Sequence, residues 1–288
     1  MAKSQVVRKA ILGAAAILGA LTLAAAPARS EDVLEQLKQK GAIASGVANE
    51  APWMIISADG KLSGVGPEID REALAATGIT NYQPQVMDYG AMIPALQVRR
   101  VDIISSGALT IQPKRCEQVI YSDPVVCTSD GFMLRKDLEG KVQSYVDVAK
   151  NNLRIGITPG SYQMRWAAKA GIPQQNIVPF PDGVSAVKML QDNRIDLFAL
   201  GDTSLETLRD QIKEPNMVVF FPVKDTPLGC AAAAFRKEDV ALRDLYNKGL
   251  KKIVENGKYA EIIAKYGLSS HVELGKGQTT EALCSRAE

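Results

Sequence analysis

The residues best suited to chemistry lie between Val101 and Cys127, in VDIISSGALTIQPKRCEQVIYSDPVVC. Arg115 offers a planar fork of donors that matches the two oxygens of a carboxylate. Thr110 adds a hydroxyl just upstream, and Ser106-Gly107-Ala108 is small enough for backbone to approach a ligand closely. A strand end that gathers N–H groups, a hydroxyl and a guanidinium is a carboxylate receptor. The same residues also fit a plain surface pair between Arg115 and Glu117 or Asp123.

Two further loops carry groups of this kind. Asn49-Glu50-Ala51-Pro52-Trp53 joins a carboxylate and an indole beside a proline. It follows an apolar strand expected over residues 42–48, and open α/β sheets bind ligands at such strand ends. Thr158-Pro159-Gly160-Ser161-Tyr162 precedes a predicted helix, where N–H groups and a hydroxyl suit an anion, although an ordinary helix cap explains them equally well. Asp88-Tyr89-Gly90 and Gly201-Asp202 are loops of the same kind.

Catalysis finds less support. There is no nucleophile elbow and no metal-ligand spacing, and no cofactor is implied. The single histidine, His271, falls beyond the last predicted helix and reads as a solvated residue. Glu50 is the one candidate general base.

The positioning elements alternate. Helices are predicted over 33–40, 66–76, 92–99, 163–170, 185–191, 238–256 and 258–266, and short apolar strands over 42–48, 82–86, 101–105, 153–157, 177–180 and 195–200. This alternation predicts an α/β fold with mostly parallel sheets. Gly131 to Arg135 reads as an extended crossing strand, and Cys230 to Phe235 as a strand buried on both faces. Asp70, inside the second helix, reads as structural, capping or pairing locally.

Residues 1–30 read as a secretory leader, with Lys3, Arg8 and Lys9 before the apolar run Ala10 to Ala26 and a small-residue site at Ala28-Arg29-Ser30. Its loss removes four basic residues and no acidic ones, so 34 Lys+Arg fall to 30 against 32 Asp+Glu, a net charge of −2. Neither a basic stripe nor interleaved aromatics point to nucleic acid. Four cysteines without a CxxC pair, in an exported chain, imply two disulfides. Of three possible pairings, Cys116–Cys127 would close the binding stretch and Cys230–Cys284 would pin the tail; this is the favoured set.

The motif order resembles the polar amino-acid family of periplasmic solute-binding proteins of ABC importers. KGAIASGV, GVGPEIDREALA, DYGAMIPALQVRRVDIISSGALTIQPKRCEQVIYSDP, Gly160-Ser161 and NRIDLFALGD carry the resemblance over essentially the whole mature chain. It implies a type II binding-protein fold of two lobes, residues 31–132 with 224–288 and residues 133–223, joined by two crossing strands. It also implies a monomer that delivers its solute to a membrane permease. Arg115 and Thr110 would hold the ligand's carboxylate, with backbone near Ala108 and with Ser161 or Tyr162 assisting. An acidic residue after the late strand usually takes the amino group; here Asp202 falls one position late and Gly201 fills the expected place.

NEAPW, Tyr89, Cys116 with Cys127, and PDGVSAVKMLQDNRIDLFAL resemble more closely the ectoine/hydroxyectoine-binding members. That likeness implies that Glu50 faces a delocalised cation walled by Trp53 and Tyr89. The sequence departs at Thr110, where an aromatic is usual, and at Tyr162, which replaces a smaller hydroxyl residue. The alternatives are a binder of a polar or cationic amino acid or an opine, and a periplasmic enzyme of cyclohexadienyl dehydratase type.

Overall fold

The structure, a computed structural model, describes residues 26–287. The leader expected over residues 1–30 lies outside the described residues as far as residue 25. The first helix runs Ala26–Lys40, and Gly41 stops it at a φ of +60°.

Fourteen strands follow in chain order: β1 (Ala42–Val47), β2 (Ile55–Ile56), β3 (Leu62–Ser63), β4 (Asn81–Val86), β5 (Ile103–Ile104), β6 (Val119–Tyr121), β7 (Val126–Thr128), β8 (Asp130–Arg135), β9 (Ile155–Ile157), β10 (Ile177–Pro179), β11 (Leu197–Gly201), β12 (Met217–Phe220), β13 (Gly229–Ala231) and β14 (Ala234–Arg236). Among the described residues ten of them form two five-stranded sheets, one ordered β4-β1-β5-β14-β6 and the other β10-β9-β11-β8-β12, while β2 with β3 and β7 with β13 form two-stranded pairs. Each sheet centres one lobe of a type II periplasmic binding-protein fold.

Both sheets are parallel except for one reversed strand, β14 in the first and β8 in the second. Each reversed strand directly follows a strand of the small antiparallel pair β7–β13, which links the lobes. The crossing pair is therefore Val126–Thr128 with Gly229–Ala231. Gly131 to Arg135, expected to cross, lies inside the second sheet instead. The expected strand over 230–235 is split, because Ala232 and Ala233 lead from the crossing strand β13 into β14, which lies between β5 and β6 in the first sheet.

Side-chain alternation assembles the second lobe. Along β8 and β11, Phe132, Leu134, Leu197 and Ala199 pack on one face with Tyr145 and Trp166. Met133, Phe198 and Leu200 pack on the other with Phe180 and Leu205. Fully burying each large side chain stabilises by about 1.5–3 kcal/mol. In the first lobe Ile43, Val47, Ile103, Ile104 and Phe235 share one core with Ile69 and Leu74 of the helix Val65–Ala75 and Leu242 and Tyr246 of the helix Val240–Glu255.

Asp70 is structural, with partners far along the chain rather than local ones. It is fully buried and accepts from Ser105 Oγ at 2.6 Å, Tyr246 Oη at 2.6 Å, Tyr82 Oη at 3.1 Å and the Ser106 N–H at 3.2 Å. This network ties the Val65–Ala75 helix to the start of the Ser106–Thr110 segment. Burial pushes its carboxyl up, opposed by those hydrogen bonds.

All four cysteines are in disulfides, but the favoured pairing is corrected. Cys127 bonds to Cys230, and Cys116 to Cys284. The first pair faces across β7 and β13 in register, with Cα atoms 4.0 Å apart. The second ties the short helix Pro113–Cys116, which carries Arg115, to the terminal helix Thr280–Ser285. Among the described residues no helix is long and apolar enough to cross a membrane.

Candidate functional site

A small cavity lies between the lobes. It is lined from the first lobe by Glu50, Trp53, Tyr89, Ala108, Thr110 and Arg115, and from the second by Ser161 and Tyr162. These are eight of the nine residues expected to bind ligand.

Glu50 leaves β1 and is fixed by reciprocal backbone hydrogen bonds with Met54, at 2.8 and 2.9 Å. The loop is docked further because Pro52 and Trp53 carbonyls accept from Val65 and Gly66 N–H groups. Trp53 is thereby held with only 7% of its surface exposed. Tyr89 opens the helix Tyr89–Gln97 and donates its hydroxyl to Glu50 Oε2 at 2.8 Å. Ser204, from the second lobe, donates to Glu50 Oε1 at 2.7 Å. Burial pushes the Glu50 carboxyl up, and these two hydroxyls pull it back.

Pro113 starts the one-turn helix that aims Arg115. Nη1 donates to the Thr110 carbonyl at 3.0 Å and to Thr110 Oγ1 at 3.2 Å, while Nη2 crosses the cleft to the Gly160 carbonyl at 3.0 Å. Thr110 itself is bridged to Ala231 of the crossing strand β13. Arg115 is thus a cleft residue, and its sequence neighbours pair elsewhere: Glu117 with Lys114 at 3.6 Å, and the Asp123 N–H with Asn247.

In the second lobe, Ser161 Oγ is buried and has no protein partner, so its hydroxyl is free for a ligand. Tyr162 turns its hydroxyl to Asp130 Oδ1 at 3.0 Å. Gln163 Nε2 donates to the same oxygen at 3.1 Å, and Tyr145 Oη to Oδ2 at 2.6 Å. Burial among these neutral donors pushes the Asp130 carboxyl up to about 7, against the pull of its hydrogen bonds.

Asp202, expected at the ligand, does not line the cavity; Gly201 does. Its carboxylate, 2% exposed, accepts from the Ser129 N–H at 2.9 Å, Ser129 Oγ at 2.6 Å and the Thr203 N–H at 2.6 Å. His271 Nε2 lies 3.4 Å from Asp202 Oδ2. Burial opposes ionisation of Asp202, but His271 and Ser129 outweigh it and hold the carboxyl low. His271, expected to be solvated, is only 9% exposed, because the helix Ser269–Leu274 folds back against β7. It is no base for the cleft.

Thr128, Gln163, Leu200, Gly201 and Ala231 also line the cavity without having been singled out as ligand residues. Ser204 and Asp130, immediately behind the lining, were missed as well. Ser204 had one local signal, its place two residues after the Gly201-Asp202 loop.

Comparison with known proteins agrees with the two-lobe fold. Residues 43–269 match the bacterial extracellular solute-binding proteins, family 3. The chain belongs to that family. It is 30% identical over 259 residues to a probable amino-acid ABC transporter periplasmic-binding protein, y4tE, of Sinorhizobium fredii (strain NBRC 101917 / NGR234), covering 88% of this chain and 86% of that one. The crystal structure of EhuB in complex with hydroxyectoine superposes with a TM-score of 0.84 at 39% identity, covering 89% of this chain and 99% of EhuB. An arginine-binding protein from T. maritima shares the fold, with a TM-score of 0.71 at 21% identity over 81% of this chain and 98% of that one.

Proposed function

We propose that this solute-binding protein captures ectoine, hydroxyectoine or a closely related compatible solute in the periplasm and hands it to the permease of an ABC importer. A leader over residues 1–30 would export it. Lobes expected over residues 31–132 with 224–288 and over residues 133–223 would close about the crossing strands β7 and β13, with the first boundary falling before β8, which pairs with β11 and β12 of the second lobe.

One observation carries the reading: Glu50 and Arg115 line one cavity together with the rings of Trp53 and Tyr89. Arg115 and Thr110 match a carboxylate, while a delocalised cation gains from two ring faces and one carboxylate. The likeness to EhuB supports the same ligand class. An α-amino acid is less well served, because Asp202 is committed to Ser129, Thr203 and His271.

The test is a thermal-shift panel on ligand-stripped protein, with ectoine, hydroxyectoine, proline betaine, basic amino acids, octopine and prephenate. A ligand at a hundred times its Kd adds about 2.7 kcal/mol, roughly 5–10 °C for a protein of this size. The expected result is such a shift with the ectoines. A shift with basic amino acids alone would overturn the ligand assignment, and turnover of prephenate would overturn the binding role.

A further inference from the structure

Glu50 belongs to the first lobe and Ser204 to the second, so their hydrogen bond exists only when the lobes are closed. Closure therefore shields the Glu50 carboxylate, which lines the cavity, from bulk water and gives it two hydroxyl donors, from Tyr89 and Ser204. Neither brings a positive charge. The surrounding titratable groups do not bring one either. Tyr89 and Tyr162 are neutral phenols, and Asp130 lies behind Tyr162. Asp202, on the helix that carries Ser204, is paired with His271. Arg115 keeps its charge, but its guanidinium is hydrogen-bonded to Thr110 and the Gly160 carbonyl rather than to Glu50, and it faces the proposed ligand carboxylate. Burying a carboxylate without a compensating charge is costly, and such a site meets the cost with a cation or by taking a proton.

Building on the function above, we propose that Ser204 is a specificity-determining residue. The lobe that carries it covers Glu50 on closure, so closure calls for one positive charge there, brought by the solute's cationic end or, for a solute without one, by a proton. The Ser204 hydroxyl, donating to the carboxylate, sets how readily that proton is taken up. In the second case one proton leaves bulk water and adds to a Glu50 carboxylate oxygen, so the carboxylate becomes a neutral carboxylic acid and no other bond changes. Ser204 Oγ can accept from the new O–H, since a hydroxyl donates and accepts equally well. The upward push of burial on Glu50 agrees with this, and the Ser204 hydroxyl opposes it by favouring the charged form.

Calorimetric titration with ectoine and with pyroglutamate, a ring carboxylate lacking a cation, tests the proposal between pH 5 and 8 in two buffers of different ionisation enthalpy. Ectoine should bind without net proton exchange. Pyroglutamate should take up close to one proton, with affinity falling about tenfold per pH unit above the Glu50 transition. Glu50→Gln should abolish both the uptake and the pH dependence. Ser204→Ala should move the pyroglutamate transition to higher pH, an effect that loss of packing alone would not produce. Ectoine binding beside pH-independent pyroglutamate binding would overturn the proposal, as would pyroglutamate failing to bind even at pH 5. Failure of ectoine to bind at any pH would remove the functional reading and this inference with it.

Discussion

Gly160 and Gly90 meet backbone to backbone across the cleft: a Cβ built on Gly160 would lie 2.5 Å from Gly90 N. Gly160 also holds a φ of +78°, which a side chain disfavours by about 1–2 kcal/mol. The closed state therefore needs glycine at 160. Gly160→Ala should lower Tm by only a few degrees, yet weaken solute binding at least tenfold. Small-angle scattering should show a variant that stays expanded when solute is added. Full compaction with wild-type affinity would contradict this account of closure.

Arg115 serves both the proposed carboxylate and the Gly160 carbonyl. Hydrogen bonds to charged groups are worth about 1.5–3 kcal/mol each. Arg115→Ala should therefore cost at least tenfold in affinity, with a modest fall in the Tm of the empty protein from the lost bonds to Thr110. Arg115→Lys should recover little, since an ammonium cannot form the planar fork. Unchanged affinity in either variant would remove Arg115 from the site.

Trp53 and Tyr89 can be separated by their tips. If both wall a cation, replacement by Ala should weaken binding more than replacement by Phe. Tyr89→Phe should still show a smaller loss, because Glu50 forfeits the hydroxyl 2.8 Å from Oε2. Titrations of the four variants decide it. Equal losses for Ala and Phe at both positions would mean that the polar tips, rather than the ring faces, bind the ligand.

Legibility in the sequence followed the range of each interaction. Thr110 and Arg115 meet within one turn of chain, so residue types alone brought them together. Glu50 with Trp53, and Ser161 with Tyr162, are equally local and sit at strand ends. The cysteine pairing was not readable, since Cys127–Cys230 depends on the register of two crossing strands separated by 103 residues. The burial of His271 is not legible locally, because nothing near it in sequence shows that its helix returns to β7. Ser204 reaches Glu50 over a separation of 154 residues, through a lobe closure that no local pattern encodes.

Asp130 makes stability depend on pH. In the unfolded chain it titrates near its ordinary value of 3.8, and in the fold near about 7. Between those values the folded protein holds a proton that the unfolded chain has released. Stability should therefore fall as pH rises through this window, by about 1.4 kcal/mol per unit from this group. Asp130→Asn should flatten that part of the curve and exceed the wild type in stability at pH 8. Denaturant melts from pH 4 to 8 measure it; parallel curves for the two proteins would contradict the assignment.

The most direct measurement is isothermal titration of ectoine into ligand-stripped wild-type protein, repeated with Glu50→Gln and Arg115→Ala. The account predicts one site per chain in the wild type and binding weakened at least tenfold in each variant, because each removes one of the two charges that the zwitterion needs. Absence of wild-type binding, or variants that bind as tightly as the wild type, would contradict it.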